Sequence, residues 1–213
     1  MMARATGEHG ASEKRQMIID ASIRCFAKKG YHKSRVSDIA EEAGIAYGLV
    51  YHYFENKEEI LSTIFREMWE GLAHYIEVVA EREGDARQKL HDVASFLIDS
   101  YKYRPELVKV FTLEITRNSK FLTSASLKLF EKAFHHVEEI IKQGRDNGTF
   151  AKDVDTRLTS YIFFGAIETV LNGYVLKTLK SGDKAIERAK KVVSSIFING
   201  LCTGADGLWS PEE

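Results

Sequence analysis

The stretch SRVSDIAEEAGIAYGLVYHYFENKEEI, residues 34–60, constrains the fold of this 213-residue chain more than any other segment. It encodes two short helices, a tight turn and the start of a long third helix. Ile39, Ala40 and Ala43 form an apolar i, i+1, i+4 patch on the first helix. Gly44 then supplies the turn, because a residue with no Cβ enters left-handed backbone space without strain. Beyond it, Val50 and Phe54 face inward at i, i+4, which leaves Tyr47, Tyr51, His52 and Tyr53 spread around the outer surface. A short helix anchored by few residues, exposing hydroxyls and rings near cations, suits insertion into a DNA major groove. The spacing is that of a helix-turn-helix.

Order and spacing together resemble the DNA-binding domain of the TetR family of one-component transcription regulators. The matching residues are IIDAS (Ile18 to Ser22), FAKKGY (Phe26 to Tyr31), DIAEEAG (Asp38 to Gly44), GLVYHYF (Gly48 to Phe54) and NKEEI (Asn56 to Ile60). The likeness is close over this N-terminal region and general in character beyond it. It implies DNA contacts from Tyr47, Gly48, Tyr51 and His52, with Tyr53 and Lys57 reaching the phosphate backbone. Gly48 would let the peptide approach closely, and Tyr47 would touch a base edge or a thymine methyl. Ser34 and Arg35, at the start of the preceding helix, are expected to hold a phosphate through helix-terminal N–H groups and a guanidinium. Lys14 and Arg15 are flanking cations, while Lys28, Lys29 and Lys33 read as solvated charges. Tyr51 has an alternative, with its ring packed inside and only its hydroxyl offered. Ala46 departs from the family, which usually places a Ser or Thr N-cap there.

Charge is compatible with local rather than general attraction to DNA. The formal net charge is −1. Residues 1–57 carry nine Lys and Arg against seven Asp and Glu, and the remainder 21 against 24. Binding must therefore rest on where cations sit and on dimerisation. Cys25 and Cys202 are far apart and in apolar helical contexts, as expected of free thiols in a reducing cytoplasm. An enzyme is disfavoured. There is no Gly-rich phosphate loop, no Cys/His metal spacing and no nucleophile elbow, so neither cofactor nor metal is expected. The side chains of His135 and His136 diverge by about 100° on a helix, a poor ligand geometry. His74 and His91 read as isolated, solvated or hydrogen-bonded residues. No segment reaches the roughly 20 apolar residues that span a bilayer. MMARATGEHGASEKR shows no hydrophobic leader, and a cytoplasmic location without membrane association is expected.

The fold class expected is all-α, with a three-helix head and a six-helix C-terminal bundle. Only two prolines occur, and no strand-length alternation or internal repeat is found. Residues 1–11 read as a disordered arm, 12–56 as the DNA-binding domain, 57–202 as the ligand-binding and dimerisation domain, and 203–213 as a loose tail. The first helix is expected from Ser12 to Lys29, stopped by Gly30. Ser34 is the expected cap of the second helix. Asn56 and Glu59 form a capping box that opens a long helix to Glu81, bridging the two domains. Further helices are expected over 86–103, 105–116, from Ser119–Phe121 to Arg145, to Leu179 after a cap at Asp153 or Asp155, and over 184–202.

Several polar residues lie within apolar helical stretches of the larger domain. Glu114 and Arg117 are a turn apart in VFTLEITRNSKF, and Glu168 and Asn172 are i, i+4 in IFFGAIETVLNGYVL. Burying such groups costs several kcal/mol unless they pair or meet a ligand. Two readings stand: an internal salt bridge or hydrogen-bond network, or polar anchors in a cavity. The cavity lining would be Met68, Leu72, Tyr75, Phe96, Tyr101, Phe111, Phe134 and Phe163. The VFTLEITRNS stretch, the spacing to Asn147-Gly148-Thr149-Phe150, and FGAIET also resemble the fatty-acid-degradation regulators of the family. That resemblance implies a long-chain acyl-CoA effector, with Arg117 or Lys120 near the CoA phosphates. A small hydrophobic effector, including a cationic drug sensed by a regulator of an efflux system and neutralised by Glu114 or Glu168, is the rival. The last two long helices carry excess apolar surface at Ile162, Phe163, Ala166, Val170, Leu171, Val192, Val193, Ile196, Phe197 and Leu201. This marks an interface. The family pattern makes it a two-fold four-helix bundle, giving a homodimer whose recognition helices lie about 34 Å apart on a palindromic double-stranded operator.

Overall fold

A computed structural model describes the backbone of residues 2–115 and 124–202, with side chains over 10–114 and 127–201. Among these residues it is all-helical, with nine α-helices and one π-helical turn. The chain divides into two compact units, Met1–Met68 with Glu106–Leu122, and Trp69–Pro105 with Thr123–Glu213. The first unit thus reaches beyond the expected 12–56. Ile60, Leu61 and Ile64 of the long fourth helix are at most 2% exposed, and all belong to that unit.

The first unit holds α1 (Met2–Lys29), α2 (Val36–Ala43), α3 (Tyr47–Tyr53) and the start of α4 (Lys57–Glu81). It also takes α6 (Pro105–Val110) from Glu106 onward and the π-turn Phe111–Ile115. Helix α1 begins at Met2 and not at Ser12, so the residues expected to form a disordered arm carry helical backbone. Lengthening an existing helix avoids the cost of nucleation, and Gly7 and Gly10 are its only strong breakers there. Gly30 ends the helix with φ 81°, donating its N–H to Phe26 O at 2.9 Å. Gly44 closes α2 with φ 66°, and the Ile45 N–H reaches back to Ala40 O at 3.0 Å. Asn56 Oδ1 accepts the Glu59 N–H at 2.8 Å, as the capping box requires. The return bond differs, because the Glu59 carboxylate accepts from Glu55 N–H at 2.6 Å. Ile18, Phe26, Ile39, Val50 and Phe54 form the core beneath α3. The helix expected over 105–116 breaks into the π-turn at Phe111.

The second unit contains the rest of α4, α5 (Ala86–Tyr103), α7 (Ser124–Asp146), α8 (Thr156–Val175) and α9 (Asp183–Cys202). Asp85 and Asp155 cap α5 and α8 by accepting the N–H groups of Arg87 at 2.8 Å and Leu158 at 2.9 Å. Helix α8 stops at Val175, short of the expected Leu179, because Gly173 O accepts the N–H groups of Thr178 and Leu179. The Leu179 side chain then lies where a Gly173 Cβ would sit, at 2.6 Å. Gly144 is similarly constrained, since a Cβ there would meet the Phe150 ring at 2.2 Å and Ala86 Cβ at 2.9 Å. Lys89 is buried and ties three helices together. Its ammonium donates to Ala80 O and Gln143 Oε1, each at 2.8 Å. Between α5 and α9 run an Asp99–Lys190 ion pair at 2.7 Å and a His91 Nδ1–Ser194 Oγ bond at 2.9 Å. Among the described residues no helix is long and apolar enough to cross a membrane.

Arg117, Lys120, the expected helix start at Ser119–Phe121 and the expected loose tail 203–213 lie outside the described residues.

Candidate nucleic-acid interface and effector site

Helix α3 buries Val50 and leaves Tyr47 and Tyr51 53% and 46% exposed, which decides the orientation of Tyr51. Its ring points out, not into the core. The two phenols are i, i+4 on one face. Their hydroxyls are 3.0 Å apart and their rings meet edge-on at 5.2 Å. Two polarised O–H groups are thus presented side by side, each holding the other in place. Gly48 is exposed beside them, and a Cβ there would meet nothing within 4 Å. Bulk at Gly48 is limited only by whatever docks on this face. His52 is exposed with its ring edge-on to the half-buried Tyr53 at 5.1 Å. Arg35 is exposed at the start of α2.

Two expected phosphate contacts are corrected. Ser34 is 2% exposed, and its hydroxyl donates to Gly30 O at 2.8 Å. It satisfies a carbonyl at the end of α1, and it does not cap α2. The residue at the cap position is Arg35, whose N–H donates to Asp38 Oδ2 at 2.8 Å. An internal carboxylate therefore already accepts the first N–H at this helix start, the position proposed for an anion. Accepting that bond, together with the Lys29 ammonium at 2.9 Å, holds the Asp38 carboxyl below its ordinary range. Lys57 likewise turns inward. Its ammonium donates to Tyr31 O at 2.8 Å and Ser34 O at 3.0 Å. Arg15 is committed as well, paired with Glu67 at 2.7 Å and lying over the Phe54 ring. Lys14, Lys28, Lys33 and Arg35 remain exposed.

The proposed effector residues fall in both units. In the first, Met68 and Phe111 are half-buried. Glu114 faces the end of α1, where its Oε1 is 3.5 Å from the Cβ position of Gly30. Burial, a hydrogen bond to Glu58 and the Glu114 charge together push the Tyr31 phenol upward. In the second unit Leu72 is buried, and Tyr75 stacks on Phe96 with centroids 3.8 Å apart. Phe134 stands in an aromatic column, stacked at 4.1 Å on both Phe130 and Phe164. Trp69 meets that column edge-on at Phe130. Phe163 is fully buried against Phe197, at 5.3 Å. Asn172 is half-buried. The Tyr101 hydroxyl donates to Tyr174 O at 3.2 Å.

Glu168 is corrected outright, because it is exposed. Helix α8 is apolar on two faces, and the inner one carries Phe163, Phe164, Ile167 and Tyr174. Glu168 follows Ile167 by about 100° and lands on the other. In the single chain the desolvation cost that made it a candidate anchor does not arise. That outer face also carries Leu158 and Ile162, 58% and 54% exposed, and α9 exposes Val192 and Ile196. Sequence reasoning missed Tyr174, whose buried hydroxyl has no hydrogen-bond partner among the described groups. A phenol on the inner face of an apolar helix was the available signal. Among the described residues no group of three or more His, Cys, Asp or Glu is placed to hold a metal ion.

A short exposed helix bearing paired phenols, set by a glycine turn on a three-helix core, defines a helix-turn-helix protein. Residues 18–64 match the bacterial regulatory proteins of the tetR family, and residues 65–199 match the C-terminal region of YsiA-like proteins. The chain belongs to the tetR family. It is 30% identical to the fatty acid metabolism regulator protein of Bacillus subtilis (strain 168), over 88% of this chain and 95% of that one. Its structure resembles that of the fatty acid degradation regulator FadR from Bacillus halodurans, with a TM-score of 0.79 and 28% identity, covering 88% of this chain and 96% of that one. It also resembles FadR from Bacillus subtilis in complex with stearoyl-CoA, with a TM-score of 0.77 and 27% identity, covering 87% and 98%. The expected family, the all-helical class and the likeness to fatty-acid-degradation regulators therefore hold.

Proposed function

We propose that the protein is a homodimeric repressor that binds a palindromic DNA operator and is released from it by a long-chain acyl-CoA. The observation carrying the effector class is its likeness along nearly the whole of a relative whose structure holds stearoyl-CoA. The exposed Tyr47–Tyr51 pair supports the DNA-reading face, and the exposed apolar residues of α8 and α9 support dimerisation. A cationic drug would need a buried counter-charge. Glu168 is exposed and Glu114 faces the end of α1, so neither favours that rival.

Release follows from helix continuity. Helix α4 starts in the unit that carries α3 and continues into the other unit. An effector that changes its direction changes the separation of the two heads in a dimer, and a palindrome is bound jointly only at one spacing. Coupling is reciprocal, so operator DNA lowers effector affinity by the factor that effector lowers operator affinity. Calorimetric titration with acyl-CoAs of increasing chain length tests the effector class. Saturable binding that strengthens with chain length is expected. Absence of binding at every length removes the acyl-CoA assignment.

A further inference from the structure

We propose that the Tyr174 hydroxyl is the buried polar anchor of the effector site, donating a hydrogen bond to the thioester carbonyl of a bound acyl-CoA. The inference rests on the acyl-CoA reading above and names the atom that recognises the head of the acyl chain.

Tyr174 is 2% exposed and among the largest fully buried side chains of the protein. It sits near the end of α8, with the Tyr101 ring 5.2 Å away. The main chain around it is fully used, since Tyr174 O accepts from the Tyr101 hydroxyl at 3.2 Å and from the Lys177 N–H at 3.1 Å. Its own hydroxyl is different. That oxygen is buried and makes no hydrogen bond to any described group of the protein. Its neighbour Tyr101 has found an acceptor, so the contrast lies within one pair of packed rings.

A phenol left in this condition costs free energy, and phenylalanine would fill the same space without the cost. A polar group kept in a core at a loss points to a use in a second state. The chemistry of the use is narrow. Burial raises the phenol above its ordinary value, so it stays protonated and serves as a donor. A second phenol, Tyr101, packs on its ring, and burial alone raises its pKa, with no neighbouring charge contributing. A neutral acceptor is therefore favoured over a carboxylate or phosphate, which would need a counter-charge in an apolar site. The thioester carbonyl is the neutral acceptor at the head of an acyl chain. The CoA phosphates would lie away from this position.

The test is a thermodynamic cycle on the full-length protein. Palmitoyl-CoA and S-hexadecyl-CoA, a thioether that has the same chain length but no carbonyl, are titrated into wild type and Tyr174→Phe. Wild type is expected to prefer the thioester by about fivefold, the worth of one net hydrogen bond. Tyr174→Phe should lose that preference by weakening its affinity for palmitoyl-CoA alone. Its melting temperature should rise by about 2–4 °C, because an unpaired buried hydroxyl has been removed. Wild type that binds both ligands equally, or a variant that still prefers the thioester, overturns the anchor while leaving the acyl-CoA reading intact. Wild type that binds neither overturns both.

Discussion

Lys57 opens α4, yet its ammonium is spent on Tyr31. It lies 2.8 Å from the Tyr31 carbonyl and 4.3 Å from the centroid of the Tyr31 ring, and it also reaches Ser34 O at 3.0 Å. Both carbonyls belong to the segment between α1 and α2, so the ammonium serves oxygens that lie outside either helix. The first residue of α4 is thereby fastened to the turn between α1 and α2. A rotation of α4 reaches the head through this link.

Lys57→Met keeps the aliphatic stem and removes the donors, so it should destabilise the protein by about 1–3 kcal/mol in urea unfolding. Its effect on the salt dependence of operator binding should be small. Arg35→Ala, at an exposed position, should instead lower the salt slope by about one unit per half-site with stability unchanged. A full unit lost in Lys57→Met, with normal stability, would show that the lysine turns to phosphate when DNA is present.

Tyr51→Phe breaks the bond between the two hydroxyls without touching the core. Operator affinity should fall while the circular dichroism and the melting temperature stay as in wild type. Tyr47→Phe should additionally change which operator bases matter, because Tyr47 lies at the start of α3, where base edges are read. A selection on randomised half-sites reads that change.

Ile196 is 66% exposed, whereas Phe197 packs on Phe163 inside the second unit. Ile196→Asp should therefore separate the proposed dimer without harming the fold. Phe197→Asp would damage both and decide nothing. Light scattering at micromolar concentration should give a dimer for wild type and a monomer for Ile196→Asp. A monomeric wild type would refute the proposed seam.

Burial disfavours the charged form of Lys89 and lowers its pKa. Between that lowered folded value and the unfolded value of about 10.4, the unfolded chain binds more protons than the native one. Stability from this group therefore rises with pH through that window. Compared with Lys89→Met, wild type should gain stability as pH increases toward 10. A wild-type-to-variant difference that is flat with pH would show that Lys89 is ordinary in its titration.

What could be read from the sequence follows the range of the interactions involved. Val50 and Phe54 inward and Tyr47 outward follow from helical spacing alone, and so does the Gly44 turn, whereas the outward ring of Tyr51 is settled only by the packed head. Caps at Asn56 and Asp155 depend on residues three positions away. The inward bonds of Ser34 and Lys57 were not legible because their partners, the carbonyls of Gly30 and Tyr31, become neighbours only once α1, α2 and α4 have packed. Glu168 was misread for a different reason. A helix apolar on two faces does not say which face is inside, and that choice belongs to the neighbouring helices. Tyr174 was passed over because its signal, a phenol on the inner face of an apolar helix, is readable only once the inner face is known.

Operator binding reversed by a long-chain acyl-CoA is read directly in a gel shift on the DNA flanking the protein's own gene, with and without palmitoyl-CoA. The expected result is a discrete retarded complex at low salt that palmitoyl-CoA dissolves and free CoA does not. A complex unchanged by saturating palmitoyl-CoA, or no sequence-specific complex at all, would contradict it.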